Sequence, residues 1–416
     1  MSGTRKMYLA AGLALAVATP LGAAQANKER VLYSFSGGDI CCIPSGLIRD
    51  HDGNLYGTTF DGGNDGQGTV FRLAPDGTYT TLYAFAGGSD GANPGSGLAR
   101  DRSGNLYGVT SDSGGGYDVC ELGCGTIFKV APDGTETVLH TFTGSDGADA
   151  GNDNAPILDK HGNLYGTTFG GGNFYPNCPS VYGCGVVYEL TPAGTLTVLH
   201  AFDGADGQGP AGPLIADKSG NLYGVTVDGG DSSSCLGIAC GTVFELTSGG
   251  SFTVLHSFQN DDGASPTGPL VLDESGKLLG TTVGGGDLKC GTELEGCGVL
   301  FRLTPDGKLA VLHEFEDASD GGFPEGGLIA DGSGNLYGTT NSGGIPHCDI
   351  DGSPGCGVVF KFNPGGTEKV LYSFDDNDGG YEPSEGPLAM DRRGNLYGTT
   401  WQGGTGGEGT IFRVRN

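Results

Sequence analysis

Short apolar runs separated by glycine-rich turns recur along the whole chain, and each run has the length of a β-strand. In the first unit these runs are 46–50, 54–59, 68–73 and 80–85. Tight turns rich in Asp, Gly and Pro join the first run to the second and the third to the fourth. This pattern predicts antiparallel strands. We therefore expect four strands in the unit and call them a to d in chain order.

The second run carries a motif that the chain repeats. Gly53-Asn-Leu-Tyr-Gly-Thr-Thr59 returns at intervals of 51 to 60 residues, beginning at Gly104, Gly162, Gly220, Gly276, Gly334 and Gly394. Seven copies of a four-stranded unit predict an all-β fold, a seven-bladed β-propeller with four antiparallel strands per blade. The last copy ends after its third strand, 410–414, while a matching fourth strand, 31–35, precedes the first copy. We expect this N-terminal strand to pair with the last blade and close the ring.

The first 26 residues have the layout of a secretory signal peptide. Arg5 and Lys6 precede an apolar run over 8–17, and Ala24-Gln25-Ala26 provides small residues for cleavage. The sequence thus predicts a signal peptide over 1–26 and one propeller domain over 27–416. Cleavage would remove two basic residues and no acidic ones, which moves the net charge from −28 to −30.

A chain this acidic is a poor partner for nucleic acid or for an anionic membrane. The acidity favours solubility outside the cell over a site for a cationic ligand. We expect a secreted protein, extracellular or periplasmic, that is monomeric and has no membrane span in its mature form.

The propeller topology sorts the connections onto two faces. The a–b turns (50–54 in the first blade) and the c–d turns (74–78) form one face, which we call the turn face. The b–c loops (60–67) and the d–a loops (86–96) form the other, which we call the loop face. Only the loops of the second face vary in length and content. Because binding residues usually lie on variable loops held by a rigid scaffold, we expect function on the loop face.

Asp-Gly pairs recur in the d–a loops, with the aspartates at Asp90, Asp206, Asp262, Asp320 and Asp378. Such pairs are typical turn residues, which is the favoured interpretation. Calcium bound by these carboxylates is the alternative, although their spacing differs from that of a helix-flanked calcium loop. No other cofactor is evident from the sequence.

Two cysteines occur in the b–c loop of each of five consecutive blades. Their spacing varies, and no other Cys or His recurs as a partner, so a metal site is disfavoured. In an exported chain this pattern predicts one disulfide within each loop: Cys120–Cys124, Cys178–Cys184, Cys235–Cys240, Cys290–Cys297 and Cys348–Cys356. The adjacent Cys41 and Cys42 remain for a vicinal disulfide in the first d–a loop, where strain would mark a functional site.

The sequence offers little recognisable catalytic chemistry. Four histidines, at 140, 200, 256 and 313, share one position in strand d with Tyr in other copies, which indicates packing and hydrogen bonding. Glu325 and Glu385 depart from the repeat just before strand a of blades six and seven. They are candidates for acid–base work or sugar binding, with a solvated acidic rim as the favoured alternative. Phe323, Tyr381, His347 and Trp401 are candidate binding residues on the same face.

The repeat contains three sequence motifs in order: Leu-x-x-Asp-x-x-Gly-Asn-Leu-Tyr-Gly-Thr-Thr, then Gly-Thr-Val-Phe-x-Leu-x-Pro-x-Gly, then Leu-Tyr/His-x-Phe. These motifs resemble the GloVer tandem-repeat family of exported bacterial proteins. The resemblance covers residues 31–416. The unit also resembles NHL-type propeller repeats, which contain a similar turn. The resemblance implies a propeller and supplies no catalytic residues.

Two functions from different classes follow from these observations. The first is a secreted, non-catalytic module that presents an acidic, disulfide-stapled loop face to an extracellular glycan or protein. The second is a propeller enzyme, a hydrolase or lyase acting on an extracellular carbohydrate or lactone. The small, apolar residues at the starts of the inner strands favour the first.

Overall fold

A computed structural model of the chain describes residues 29–36, 46–114, 120, 123–151, 154–174, 178, 180, 182–231, 240–286, 296–317, 320–344, 349–350, 353–375, 380–384 and 386–416. These residues form a seven-bladed β-propeller with four antiparallel strands in each blade, paired in chain order in blades one to six. The expected fold is thus confirmed. The signal peptide predicted over 1–26 lies outside the described residues. No helix among those described is long and apolar enough to cross a membrane.

The strands of blades one to three are Ile48–Arg49, Leu55–Thr59, Thr69–Leu73, Tyr79–Ala84; Ala99–Arg100, Leu106–Val109, Thr126–Val130, Glu136–Thr141; Ile157–Leu158, Leu164–Thr168, Val186–Leu190, Leu196–Ala201. Those of blades four to six are Gln208–Ala216, Leu222–Asp228, Thr242–Leu246, Phe252–Ser257; Val271–Leu272, Leu278–Thr282, Val299–Leu303, Leu309–Glu314; Ile329–Ala330, Leu336–Thr340, Val358–Phe362, Glu368–Ser373. A short hairpin, Asp349–Ile350 with Ser353–Pro354, lies in the b–c loop of blade six, and a 3-10 turn spans Gly88–Asp90.

Blade seven joins the two ends of the chain. Its inner strand is split into Tyr381–Pro383 and Ala389–Met390, and both pieces pair with Leu396–Gln402. Strand c is Gly407–Val414, and its outer partner is the N-terminal strand Glu29–Ser36. The predicted closure is therefore confirmed, with an outer strand slightly longer than the predicted 31–35.

A glycine in the middle of every strand b makes room for an aromatic ring on strand c. A Cβ added at Gly57 would lie 2.8 Å from the ring of Phe71, and one added at Gly166 would lie 2.4 Å from the Tyr188 hydroxyl. No real side chain tolerates such distances. The packing therefore requires the glycine of the repeated Leu-Tyr-Gly-Thr-Thr motif, since the aromatic ring lies directly over the backbone of strand b.

The hydrophobic core is divided into seven clusters, one at each contact between neighbouring blades. The cluster between blades one and two, for example, combines Val70 and Phe85 with Leu98 and Phe128, all at most 4% exposed. The cluster between blades seven and one combines Phe35 and Ile411 with Leu47 and Phe71. Each blade is therefore stabilised mainly by the blades on either side of it.

We expect the N-terminal strand to be essential for the closed ring. A chain beginning at Gly37 lacks Phe35, which is 1% exposed, and leaves Gly407–Val414 as an unpaired edge. Loss of a buried Phe alone costs about 3–5 kcal/mol, and an exposed edge favours aggregation. Size-exclusion chromatography and thermal melting should show an aggregated or strongly destabilised protein. A chain beginning at Asn27 is the control, and equal melting of the two would contradict the closure.

Candidate functional site

On the turn face, one aspartate organises each a–b turn. The carboxylate of Asp101 accepts hydrogen bonds from the amides of Ser103 and Asn105 at 2.9 and 2.8 Å, from the Asn105 side chain at 2.7 Å and from the Tyr107 hydroxyl at 3.2 Å. Burial opposes ionisation, but these bonds outweigh it and lower the pKa of Asp101. The same arrangement recurs at Asp50, Asp331 and Asp391. The repeated residues of this face therefore stabilise turns.

The shared His/Tyr position of strand d contacts the aspartate of the following d–a loop. His140 and Asp146 approach to 3.0 Å, and His200 and Asp206 to 2.7 Å. The pairs His256–Asp262, His313–Asp320 and Tyr83–Asp90 repeat the contact at 3.0, 3.0 and 2.6 Å. This confirms the expected role of the histidines in hydrogen bonding.

The same aspartates also accept backbone amides, so each one closes its own loop. The Oδ1 atom of Asp206 accepts the Asp203 amide at 2.9 Å, and Asp262 accepts that of Gln259 at 2.8 Å. The described residues contain no group of three or more His, Cys, Asp or Glu that could hold a metal ion. Calcium at Asp90, Asp206, Asp262 and Asp320 stays a prediction, and Asp378 lies outside the described residues.

At one equivalent position, each d–a loop entering blades two to seven adopts a left-handed backbone. These joint residues, with φ between 53° and 61°, are Asn93, Asp149, Gly209, Ser265, Phe323 and Glu382. Five of the six are not glycine, although positive φ is uncommon for other residues. Backbone strain retained at equivalent positions is typical of functional surfaces.

Five of the six joint residues donate their backbone amide to a carbonyl of the preceding blade; they are Asn93, Gly209, Ser265, Phe323 and Glu382. The amide of Ser265 donates to the Cys240 carbonyl of the preceding blade at 2.9 Å, and the Ser265 carbonyl accepts the amide of Val283, after strand b of its own blade, at 3.1 Å. Gly209, Phe323 and Glu382 make the same bond to the second cysteine of the preceding loop, at 2.9 to 3.2 Å. The joints therefore hold their side chains in a fixed ring around the loop face.

The cysteines form disulfides where the structure describes them. Cys120–Cys124 and Cys178–Cys184 are bonded, with Cα atoms 5.2 and 5.7 Å apart. Cys240, Cys297 and Cys356 are also disulfide-bonded, and their predicted partners Cys235, Cys290 and Cys348 lie outside the described residues, as do Cys41 and Cys42. In four of these loops the second cysteine, Cys184, Cys240, Cys297 or Cys356, supplies the carbonyl that accepts the amide of the next joint residue, so the disulfides support the joints.

The predicted site residues are distributed over two neighbouring joints. Phe323 is the joint residue of blade six and packs against the cluster that contains Cys297. Glu325 follows it, and its carboxylate accepts the side-chain amide of Asn341 at 3.0 Å. Tyr381 lies at the joint of blade seven, where its hydroxyl donates to the side chain of Gln402 at 2.8 Å. The residue before Gln402 in the sequence is Trp401, which is half-buried. Glu385 and His347 lie outside the described residues.

The starts of the inner strands contact one another across the blades. A Cβ added at Gly268 would lie 2.2 Å from the Cα of Gly327, and one added at Gly212 would lie 2.4 Å from the Thr267 carbonyl. There is no room here for larger side chains. The small residues that the sequence places at these starts are therefore required by the close approach of the blades.

Two carboxylates at the joint of blade three, Asp149 and Asp112, were not predicted as site residues from the sequence. Burial and the neighbouring Asp112 raise the pKa of Asp149 to about 6, and burial also raises the pKa of Asp112. Asp149 belongs to the joint ring, and perturbed carboxylates often mark functional sites. The sequence contained a signal for this position. Asp149 lies three residues after the loop aspartate Asp146, and the equivalent residues in other copies are Asn93, Ser265 and Phe323.

Comparisons with known proteins agree with this architecture. The sequence model of the Gloeobacter/Verrucomicrobia repeat matches residues 22–235, 123–348 and 239–416. No sequence relative was found among curated proteins.

Solved structures share the propeller fold at low sequence identity. Virginiamycin B lyase from Staphylococcus aureus has a TM-score of 0.57 at 11% identity, over 94% of this chain and 98% of the lyase. The extracellular domain of the hybrid two-component system BT3049 from B. thetaiotaomicron has a TM-score of 0.55 at 13% identity, over 93% of this chain and 41% of that one. At such identities the likeness shows the fold alone.

Removing one staple should loosen one joint with little global effect. In the variant Cys178→Ala/Cys184→Ala, we expect a loss of no more than about 2 kcal/mol in unfolding free energy, because the closed loop is short. Hydrogen exchange of the Gly209 amide, which is bonded to the Cys184 carbonyl, should become faster. The Ser265 amide, at a joint with its staple intact, is the control. Equal acceleration at both joints would contradict a local role.

Asp149→Asn should change how stability depends on pH. The folded-state pKa of Asp149 is raised from 3.8 to about 6, so ionisation destabilises the folded state as pH rises through this window. The penalty is complete above about pH 6 and is on the order of 3 kcal/mol. Thermal melts should therefore show the Asn variant gaining stability over the natural protein as pH rises from about 4 to about 8. Asp149→Ser should behave alike, and a pH-independent difference would contradict the raised pKa.

Proposed function

The chain belongs to the Gloeobacter/Verrucomicrobia repeat family, and we propose that it is an exported, non-catalytic binding protein whose loop face holds an extracellular glycan or protein. Disulfides persist in oxidising compartments, which supports an extracellular or periplasmic location. The described bonds, Cys120–Cys124 and Cys178–Cys184, lie on the proposed binding face.

The ring of joint residues is the observation that carries this proposal. Its backbone is repeated from blade to blade, yet its side chains differ: amide, carboxylate, hydroxyl and aromatic groups occur at Asn93, Asp149, Ser265 and Phe323. The turn face shows the opposite pattern, with the same aspartate turn in successive blades. A fixed frame with variable side chains is the usual organisation of a binding surface.

Phe323 and Glu325 provide the centre of the proposed surface. An aromatic side chain offers a flat apolar face to a sugar ring or to a partner side chain, and interfaces commonly rely on such anchors. The Glu325 carboxylate, oriented by Asn341, adds a hydrogen-bond acceptor beside it. Together they suit a ligand with both an apolar face and hydroxyl or amide donors.

The test begins with a glycan array and a panel of extracellular proteins, followed by titration of the strongest binder. Phe323→Asn should weaken binding by about tenfold or more, because it removes an aromatic anchor. Asn occupies the same left-handed position at residue 93, so the backbone should be unchanged. Ser265→Asn, at the equivalent joint of blade five, is the control.

Glu325→Gln and the turn-face variant Asp101→Ala separate binding from folding. The first should reduce affinity and leave the melting temperature unchanged, within about 0.5 kcal/mol of stability. The second should lower stability, because it leaves turn donors unpaired, while binding per folded molecule stays the same. If Asp101→Ala alone reduced affinity, the loop face would be the wrong surface.

A second candidate function, acid–base catalysis on an extracellular carbohydrate or lactone, is favoured by one observation. Asp149, with its pKa raised to about 6 beside Asp112, is the kind of carboxyl that can donate and accept a proton near neutral pH. A hydrolase and lyase screen of the natural protein tests it. Activity lost in Asp149→Asn and kept in Glu325→Gln would support catalysis, and an inactive natural protein would disfavour it.

A further inference from the structure

A cavity of about 610 Å³ opens on the turn face between blades three and four. This face is opposite to the proposed binding surface. Apolar side chains line part of the cavity, among them Leu158, Leu199 and Leu222. Tyr165 and Glu189 line it from blade three, and Ala216 from blade four. The volume falls within the range of small-molecule sites in proteins.

Comparison with other blades explains why a cavity exists here. In blades one and two, the residue before the turn aspartate at the end of strand a is an arginine that packs on the strand b tyrosine of the preceding blade. In blade two this residue is Arg100, whose guanidinium lies 5.5 Å from the ring centre of Tyr56. In blade one it is Arg49, 5.7 Å from the ring of Tyr397. In blade four it is the exposed Ala216, which leaves the space beside Tyr165 open.

The charge beside this tyrosine is also reversed. The strand c residue paired with the tyrosine position is basic in five blades: Arg72, Lys129, Arg302, Lys361 and Arg413. In blades three and four it is Glu189 and Glu245. The Tyr165 hydroxyl donates to Glu189 Oε1 at 2.9 Å, whereas Tyr56 and Tyr107 donate to the turn aspartates.

Glu189 differs from the other carboxylates at the cavity in what it already binds. Asp159 and Asp217 each accept two backbone amides and one asparagine side chain within their own turns. Within the described part of the chain, Glu189 accepts one hydrogen bond, from Tyr165. Its second oxygen therefore keeps its capacity for a donor in the cavity.

Burial and the bond to Glu189 raise the pKa of Tyr165. The phenol therefore stays protonated, and it keeps the carboxylate oriented.

We propose that this cavity binds a guanidinium group, free or as the arginine side chain of a peptide. The group would stack on the ring of Tyr165, as Arg100 does on Tyr56, and donate hydrogen bonds to the Glu189 carboxylate. Only blade three combines the tyrosine, the carboxylate and a small residue in the next blade. Lys160 and Lys218 are exposed at the rim, so a ligand with a single positive charge fits better than one with several.

The probe for this site is N-acetyl-arginine amide, titrated at millimolar concentration while amide shifts are followed by NMR. We expect saturable shifts around Tyr165, Glu189 and Ala216 in the natural protein. N-acetyl-leucine amide, which lacks the cation, should give none. Propylguanidine carries the guanidinium outside a peptide, with the same single positive charge. Weaker binding of propylguanidine would favour a peptide side chain, and equal or tighter binding would favour a free small molecule.

Two variants test the assigned groups. Ala216→Arg should place the protein's own guanidinium over Tyr165, as in blades one and two, and abolish probe binding. Glu189→Gln should weaken binding by about tenfold, the usual contribution of a hydrogen bond to a charged group. Thermal melts check that both variants fold. Should Ala216→Arg fail to fold, Glu189→Gln still decides the outcome, because it preserves the size of the side chain.

Glu245→Gln is the matched control. Tyr223 and Glu245 repeat the hydrogen-bonded pair of blade three at 2.9 Å, but Leu272 of the next blade packs in the same cluster as Tyr223. This variant should bind the probe normally. The proposal is overturned if the natural protein gives no shifts, if the leucine probe binds as well, or if Glu245→Gln reduces binding as much as Glu189→Gln.

Discussion

The apolar packing between neighbouring blades is the interaction on which this molecule depends. No blade has enough apolar surface to form a core by itself, because a four-stranded sheet buries its faces only against other sheets. The ring on strand c, such as Phe71, lies over the glycine of strand b, such as Gly57, and fills the contact with the preceding blade. Seven such contacts have to close on themselves, which is why Glu29–Ser36 completes the last blade.

This packing leaves the two faces with different freedom. On the turn face the connections are short, and each is fixed by one aspartate that satisfies two backbone amides. On the loop face the connections are longer, and they are held through the joint residues and the carbonyls of the stapled cysteines. The blades therefore fix the backbone of the joints while the joint side chains can differ. A binding surface can diversify in this way without disturbing the core.

The exceptions to the repeat carry the functional information. Asp149 places a second carboxylate beside Asp112 at one joint, and Phe323 places an aromatic ring at another. On the turn face, Ala216 stands where blades one and two have an arginine, Glu189 stands where five blades have a basic residue, and a cavity lies beside both. In each case the blade architecture stays the same, and the chemistry changes at a single repeated position.

The sequence alone determined the number of blades, the four-strand unit and the closure, because the same pattern of strand and turn residues recurs seven times at intervals of similar length. It also predicted the hydrogen-bonding role of the strand d histidines, since Tyr alternates with His at that position. The tertiary structure decided which of the variable residues meet. Asp112 and Asp149 come from different loops, and Tyr165 and Ala216 from different blades. Such pairs depend on how neighbouring sheets pack, and neither the spacing nor the composition of one repeat contains that information.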